Sequence, residues 1–432
     1  MKRYSARLLI HAVLAIPPLL AATPGHALLV VSTHTEEEAG LLLQTFQQSH
    51  PKLSVTVLDR RIDQIKPAIE SGSLHHADLV LTSSALLLQS LKQAGLLATL
   101  PPMKISGDCA PKGLLLSDPD RYFASYGLAG FGLLWHQPRL TQQRASTPDR
   151  WADLLAANMH GGFVMSTPTR SGSTHILIEQ VLQEQGWDKG WARLLRLAGN
   201  QTTIASRSYS VSRLVADGEA TAGPLLDNTA SQQLRTNPDL RFRYLPSFPV
   251  LPAYVAILKN GSKPGEARDV ARYLFSQQGQ ADLLNASRFK FPLNPGTLSA
   301  DDQKTCQLMR LQQPLDDALV QRRARLVKQL YETLVTQNFE QLRDTWGLIL
   351  HVGRQTGLNP QQQQQLARAE KLASSPPVPA FRATDPAYLA IFNAPDPAAA
   401  NKEAARWQRD WHARLTEAAS LARRVLVNLP DE

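Results

Sequence analysis

The sequence predicts an α/β protein that ends in a wholly helical region, and three observations lead there. Short apolar runs of strand length alternate with longer amphipathic stretches through the first 300 of 432 residues. No strand-like run follows residue 300. Hydrophobic residues make up 43% and charged residues 19%, the range of chains that bury a core rather than stay disordered.

Residues 1–27 read as an export signal. Lys2, Arg3 and Arg7 form a positive start, residues 8–22 are apolar but broken by Pro17 and Pro18, and Gly25-His26-Ala27 supplies the small residues of a cleavage site. Export implies an oxidising compartment, in which Cys109 and Cys306 either bridge or stay as two buried thiols.

Leu28-Leu29-Val30-Val31 reads as a buried strand, and Glu36-Glu37-Glu38 opens a helix with acids at its positive end, stopped at Pro51. Residues 53–58 alternate as a second strand, 62–71 form a helix, and 78–82 a third strand. Ser83 and Ser84 then cap a helix over 86–94. Short connections in this order imply a parallel sheet with helices on both faces. The glycine-rich apolar run 126–135 suits a strand crossing between two lobes. Beyond it, helices are expected at 151–157, 175–185 and 211–217, and strands at 162–165, 202–204 and 221–226. A returning strand at 252–258 and helices at 267–276 and 279–284 close the unit.

The helical region shows one-sided stripes: Leu319, Leu326, Leu330 and Leu334, then Phe339, Leu342, Trp346 and Ile349, then Trp407, Trp411, Leu415 and Leu421. These predict packed helices in an accessory domain over residues 301–432. That domain is expected to be dispensable for ligand binding, because the cleft is built before residue 300.

Several function classes drop away. The net charge is +9, but no run of five or six like charges occurs, so nucleic acid is not an expected partner. No Gly-x-Ser-x-Gly, His-Glu-x-x-His, P-loop or Cys-x-x-Cys is present, so nothing points to an enzyme. No cofactor is expected. His75-His76 lacks a carboxylate or cysteine at ligand spacing and reads as exposed histidines.

Residues 28–285 resemble the bacterial extracellular solute-binding proteins of ABC importers, in the branch that holds ferric-iron and phosphorylated-solute binders. The stretches that carry the resemblance are LLVVSTHTEEEAGLLLQTFQQSHPKLSVTV, HADLVLTSSALLLQSLKQAGLLATL, TPDRWADLL, STPTRSGSTH, GWDKGWARLLRLAGN, VADGEATAGPLLDN and PAYVAILKNGSKPGEARDVARYLFSQQGQADLL. The segment QLYETLVTQNFEQLRDTW in the helical region is similar to regulatory binding proteins of phosphoglycerate uptake. The resemblance implies a two-lobe periplasmic-binding-protein fold of the class II type. Lobe 1 would take about residues 28–128 plus 253–300, and lobe 2 about 129–252, with the ligand in the cleft between them. It also implies a partner: the membrane permease of an ABC importer, or the periplasmic domain of a sensor kinase.

The sharpest local feature is Pro168-Thr169-Arg170-Ser171-Gly172-Ser173-Thr174, between a strand and a helix. Hydroxyls and free N–H groups at the positive end of a helix bind an oxyanion, and Arg170 adds a two-pronged donor. By itself the pattern better describes a serine-rich helix cap; the resemblance reverses this and favours a small anionic solute, phosphorylated in the main reading. Ser32, Thr33, Thr82 and Ser83 would face that solute from lobe 1, where open α/β sheets bind ligands. Arg207 and Ser208 would complete the shell, and Asp227 would accept a ligand hydroxyl or cap a helix. Arg170→Ala is expected to cost about 30-fold in affinity, if the pair is desolvated. Ferric-iron binders of the family use an adjacent tyrosine pair; Ser208-Tyr209-Ser210 offers a single tyrosine, which argues against iron. The rival from another class is a periplasmic phosphoester hydrolase.

Overall fold

The computed structural model describes residues 27–427, apart from 52, 75, 245, 286–289, 295 and 297. The export segment before residue 27, and His75, therefore lie outside the described residues.

Lobe 1 opens with β1 (Ala27–Ser32), α1 (Glu36–Ser49), β2 (Ser54–Asp59), α2 (Ile62–Glu70), β3 (Leu79–Thr82), α3 (Ala85–Gln93) and the short β4 (Leu97–Ala98). Strands β1, β2 and β3 are parallel, as the short strand–helix units predict. Alternation along β1 sends Val30 to one apolar layer with α1, and Val31 to the other with α2 and α3. The capping box of α1 pairs Thr35 with Glu38: Thr35 Oγ1 accepts from Glu38 N–H at 3.2 Å, and Glu38 Oε2 accepts from Thr35 N–H.

The crossing strand β5 (Phe123–His136) is longer than the glycine-rich run alone. Lobe 2 then follows with α4 (Gln137–Gln142), β6 (Phe163–Ser166), α5 (Gly172–Gln185), α6 (Trp187–Gly199), β7 (Gln201–Ala205), α7 (Ser208–Ala216), β8 (Ala222–Leu226), α8 (Asp227–Leu234) and β9 (Leu240–Arg243). The helix expected at 151–157 is instead a pair of 3₁₀ turns, Trp151–Leu155 and Ala157–Met159. The chain returns through β10 (Val250–Leu258), α9 (Pro264–Phe275), α10 (Gln277–Asn285) and β11 (Phe291–Pro292).

The strands run in the order β2-β1-β3-β10-β5-β8-β6-β7. The sheet is mixed rather than all parallel, because β5 and β10 are the connections between lobes and must run in opposite directions. Within β5 the partner changes between Gly130, which faces Val250 of β10, and Phe131, which faces Leu226 of β8. A side chain at Gly130 would come within 2.8 Å of Phe248 and Tyr244, so only glycine lets those rings close over the handover.

The helical region comprises α11 (Ala300–Arg310), α12 (Asp317–Tyr331), a π-helical turn (Glu332–Thr336), α13 (Phe339–Gly353), α14 (Pro360–Ser374), α15 (Pro386–Asn393) and α16 (Ala398–Val427). It does not keep a core to itself. One apolar cluster runs from Trp187, Trp191 and Leu194 of lobe 2 into Leu326, Leu330, Trp346, Trp407 and Trp411. A Cβ on Gly199 of α6 would collide with the Trp346 ring, and Arg196 stacks over that ring at 4.8 Å. Trp187 Nε1 donates to the Val378 carbonyl at 2.8 Å. In the same joint Arg323 Nη2 donates to Glu179 Oε2 at 2.5 Å, with side chains 5% and 0% exposed. A chain ending near Leu298 strips an apolar face off lobe 2 and leaves Glu179 without its cation, so the helical region contributes to the stability of lobe 2. The stripes reveal that one face of each helix is buried, but not that lobe 2 is what buries it.

Cys109 and Cys306 form a disulfide, with Cα atoms 4.6 Å apart across 197 positions of sequence. This decides between the two alternatives left by the sequence, and it fastens α11 to the segment between β4 and β5 of lobe 1. Among the described residues no helix is long and apolar enough to cross a membrane.

Candidate functional site

The cleft lies between strand ends. On lobe 1, β1 and β3 stop side by side, and their first residues beyond the sheet fold into the cleft rim. Thr33 N–H donates to the Leu81 carbonyl, and Thr33 Oγ1 bonds Thr82 Oγ1 at 3.1 Å. Ser32 is fully buried, and its Oγ accepts from His34 N–H at 2.9 Å. Thr82 Oγ1 accepts from Ser84 N–H, and Ser84 Oγ from Leu87 N–H, which caps α3; Ser83 is half-buried beside them. The predicted hydroxyls of lobe 1 do therefore sit together.

On lobe 2 the turn after β6 is wound tightly. The Thr167 carbonyl accepts from both Arg170 and Ser171 N–H groups, and Ser171 Oγ accepts from Thr174 N–H at 3.1 Å while lying 3.0 Å from Ser173 Oγ. Ser171 is thus the N-cap of α5. Gly172 is exposed on the rim, and a Cβ there would lie 3.1 Å from Ile62 of lobe 1. Arg170 is exposed. An ion pair made by such a side chain is worth up to about 1 kcal/mol, so the 30-fold expectation for Arg170 falls to about fivefold. Arg207 is the N-cap residue of α7, and its Nη1 stands 3.9 Å from Asp59 Oδ2 of lobe 1; Ser208 begins α7 and is half-buried. Burial raises the Asp59 carboxyl above its usual range, and Arg207 opposes that shift.

Asp227 is the first residue of α8, and its Oδ1 accepts from Asn228 N–H at 2.7 Å. Its Oδ2 accepts from Gly130 N–H at 3.0 Å and from Tyr244 OH at 2.7 Å, so it clamps α8 to the crossing strand. Burial still raises its pKa, against those hydrogen bonds.

Four residues of the cleft floor escape sequence reasoning: Glu38, Tyr126, Asn228 and Lys290. Asn228 Nδ2 of lobe 2 donates to Glu38 Oε1 of lobe 1 at 2.7 Å, a buried bond across the cleft. Lys290 is 1% exposed; burial lowers its pKa, and the Glu38 and Asp227 charges oppose the shift. Burial, then the Lys290 charge, holds His34 neutral. The available signal was the lysine between two phenylalanines at 289–291, which reads as a charge in an apolar strand. His76 is exposed, and among the described residues no three His, Cys, Asp or Glu side chains gather as a metal site.

Two lobes on a pair of opposed crossing strands, with helix N-termini facing one cleft, are joined by a match along the chain. Residues 75–309 fit the family described as bacterial extracellular solute-binding protein. This chain belongs to that family. Over 368 residues it is 33% identical to the phosphoglycerate transport regulatory protein PgtC of Salmonella typhimurium, which covers 85% of this chain and 89% of the relative. The substrate binding protein of an ABC transporter from Agrobacterium tumefaciens has the same fold, with a TM-score of 0.59 at 18% identity over 75% of this chain and 96% of that one. The periplasmic binding protein AfuA from Actinobacillus pleuropneumoniae, solved with fructose-6-phosphate bound, matches at a TM-score of 0.54 and 16% identity over 74% and 97%. Extracellular solute-binding proteins capture small solutes, and this chain has their two-lobe fold with a helical C-terminal region.

Proposed function

We propose that this protein is a periplasmic receptor for a small phosphorylated anion of the phosphoglycerate type, and that it reports the loaded cleft to a membrane partner, either an ABC permease or a sensor kinase. The observation that carries the reading is the extent of the likeness to the phosphoglycerate transport regulatory protein. The 368 matched residues are too many to fit in the two lobes, so the likeness includes helical region as well as cleft. The chemistry of the cleft supports an anion. Helices α1, α3, α5 and α7 each begin just after a strand, β1, β3, β6 and β7, and Thr33, Thr82, Ser83, Ser173 and Ser208 place hydroxyls at or beside those starts. Arg207 supplies a fixed positive charge, and Arg170 adds one at the rim.

Calorimetric titration of the whole protein with 3-phosphoglycerate, inorganic phosphate and ferric citrate tests the reading. Binding of 3-phosphoglycerate without release of phosphate is expected, and Arg170→Ala should weaken it about fivefold, with Arg170→Lys recovering part. Phosphate release on incubation would favour the hydrolase instead, and binding of ferric citrate alone would overturn the anion reading.

A further inference from the structure

The floor of the cleft holds buried polar atoms that the fold itself leaves unsatisfied. Tyr126, on the crossing strand β5, is 0% exposed, and its OH has no hydrogen-bond partner. Asn228, at the start of α8, is 3% exposed, and its Oδ1 has none either. An orphaned buried donor or acceptor is costly, and natural folds keep few of them unless a ligand or water completes them. These two come from different elements and meet around one carboxylate. Asn228 Nδ2 donates to Glu38 Oε1, and the Glu38 charge acts on the Tyr126 phenol. The Asn228 amide cannot be turned the other way, since a carboxylate oxygen only accepts. Its Oδ1 therefore points away from Glu38 as a bare acceptor.

We propose that Tyr126 and Asn228, held by Glu38, form a subsite that reads a hydroxyl on the carbon skeleton of the ligand, beyond its phosphorylated end. The proposal rests on the reading of the cleft given above and adds to it the part of the solute that is recognised. A hydroxyl is both donor and acceptor. It donates to Asn228 Oδ1 and accepts from Tyr126 OH, and so completes both orphans at once. A carboxylate does not suit this pair, which lies against the Glu38 carboxylate, so the carboxylate of a phosphoglycerate would lie outside the subsite. An ammonium has donors only and would leave the phenol hydrogen of Tyr126, which burial keeps on its oxygen, without an acceptor. The bond from Asn228 to Glu38 also joins the lobes, so the subsite is complete only when the cleft is shut, and the hydroxyl would be read at closure.

The test compares three ligands of one skeleton on the whole protein: 3-phosphoglycerate, its analogue 3-phosphonooxypropanoate, which lacks only the hydroxyl, and O-phosphoserine, which carries an ammonium in its place. The wild-type chain should bind the hydroxyl compound at least about tenfold more tightly than either of the others, because a site built around a hydroxyl is left with unpaired groups by an analogue that lacks it. Tyr126→Phe should shrink that preference to within about threefold. It should leave the melting temperature equal or higher, because the lost OH has no hydrogen-bond partner in the fold. Equal binding of all three ligands, or a Tyr126→Phe protein that keeps the full preference, overturns the subsite while leaving the anion reading intact. Binding of none overturns both.

Discussion

Replacing Arg323 by methionine probes the joint between the helical region and lobe 2. Arg323 Nε reaches both oxygens of Glu179, at 3.2 and 3.1 Å, and Nη2 adds the 2.5 Å contact. The guanidinium also lies over Trp187, 5.4 Å from the ring centre. With Glu179 fully buried, removing its cation strands a carboxylate, which costs about 3–5 kcal/mol. At about 2 °C per kcal/mol, the lower end for domains of 150–250 residues, the melting temperature should fall by roughly 6–10 °C. Methionine at both 179 and 323 should recover most of the loss, since an apolar pair of similar volume leaves no buried charge. The single variant should also suffer least in acid. Burial already raises the Glu179 pKa. Without Arg323 the folded state favours the protonated acid still more, so the penalty is smallest at low pH and grows as pH rises through the folded pKa. Scanning calorimetry of the three proteins at pH 5 and pH 8 measures this. A fall of under 2 °C in the single variant, or a double variant no better than the single, would refute the claim that this pair secures the joint.

Two further outcomes follow from the same structure. Cys109→Ser with Cys306→Ser, or reduction of the wild-type chain, should cost about 2–5 kcal/mol, since the bridge closes a loop of 197 positions; a melting curve indifferent to reductant would contradict this. Burial, then Lys328 and Arg323, pushes the His175 pKa down to about 3, with Glu179 Oε1 3.9 Å from its Nε2. The unfolded chain therefore takes up a proton that the folded chain refuses, and stability rises with pH between about 3 and 6.5; His175→Gln should flatten the slope by up to about 1.4 kcal/mol per pH unit, and an unaltered slope would remove His175 as its cause.

The sequence makes the scaffold plain where local patterns decide it. The runs at β1, β3 and β10 are too apolar to lie anywhere but in a sheet interior, and serine caps mark the starts of α3 and α5. The hydroxyls of both cleft rims are legible for the same reason, since each follows a strand and precedes a helix. The floor is not legible. Glu38 looks like one acid among three at a helix start, Tyr126 like one aromatic in an apolar strand, and Asn228 like the neighbour of a more conspicuous aspartate. Only the return of the chain through two lobes brings them together. The edge strand β9 is missed as well, because Leu240-Arg241-Phe242-Arg243 alternates over only four residues beside a proline-rich loop.

The bridge at Cys306 and the dock at Arg323 lie on successive helices, with opposite anchors. The first fixes α11 to lobe 1 and the second fixes α12 to lobe 2. Between them, Gln312 Oε1 accepts from Phe248 N–H beside the crossing strands, and Asp316 N–H donates to Gln183 Oε1 of α5. The stretch from 307 to 316 is therefore a third tether over the hinge, set apart from the two strands about which the lobes turn. A tether placed off the axis of rotation must shorten or slacken as the jaws swing. Any change in the angle between the lobes would therefore have to be taken up in this stretch, by a displacement of α11 relative to the helices behind it.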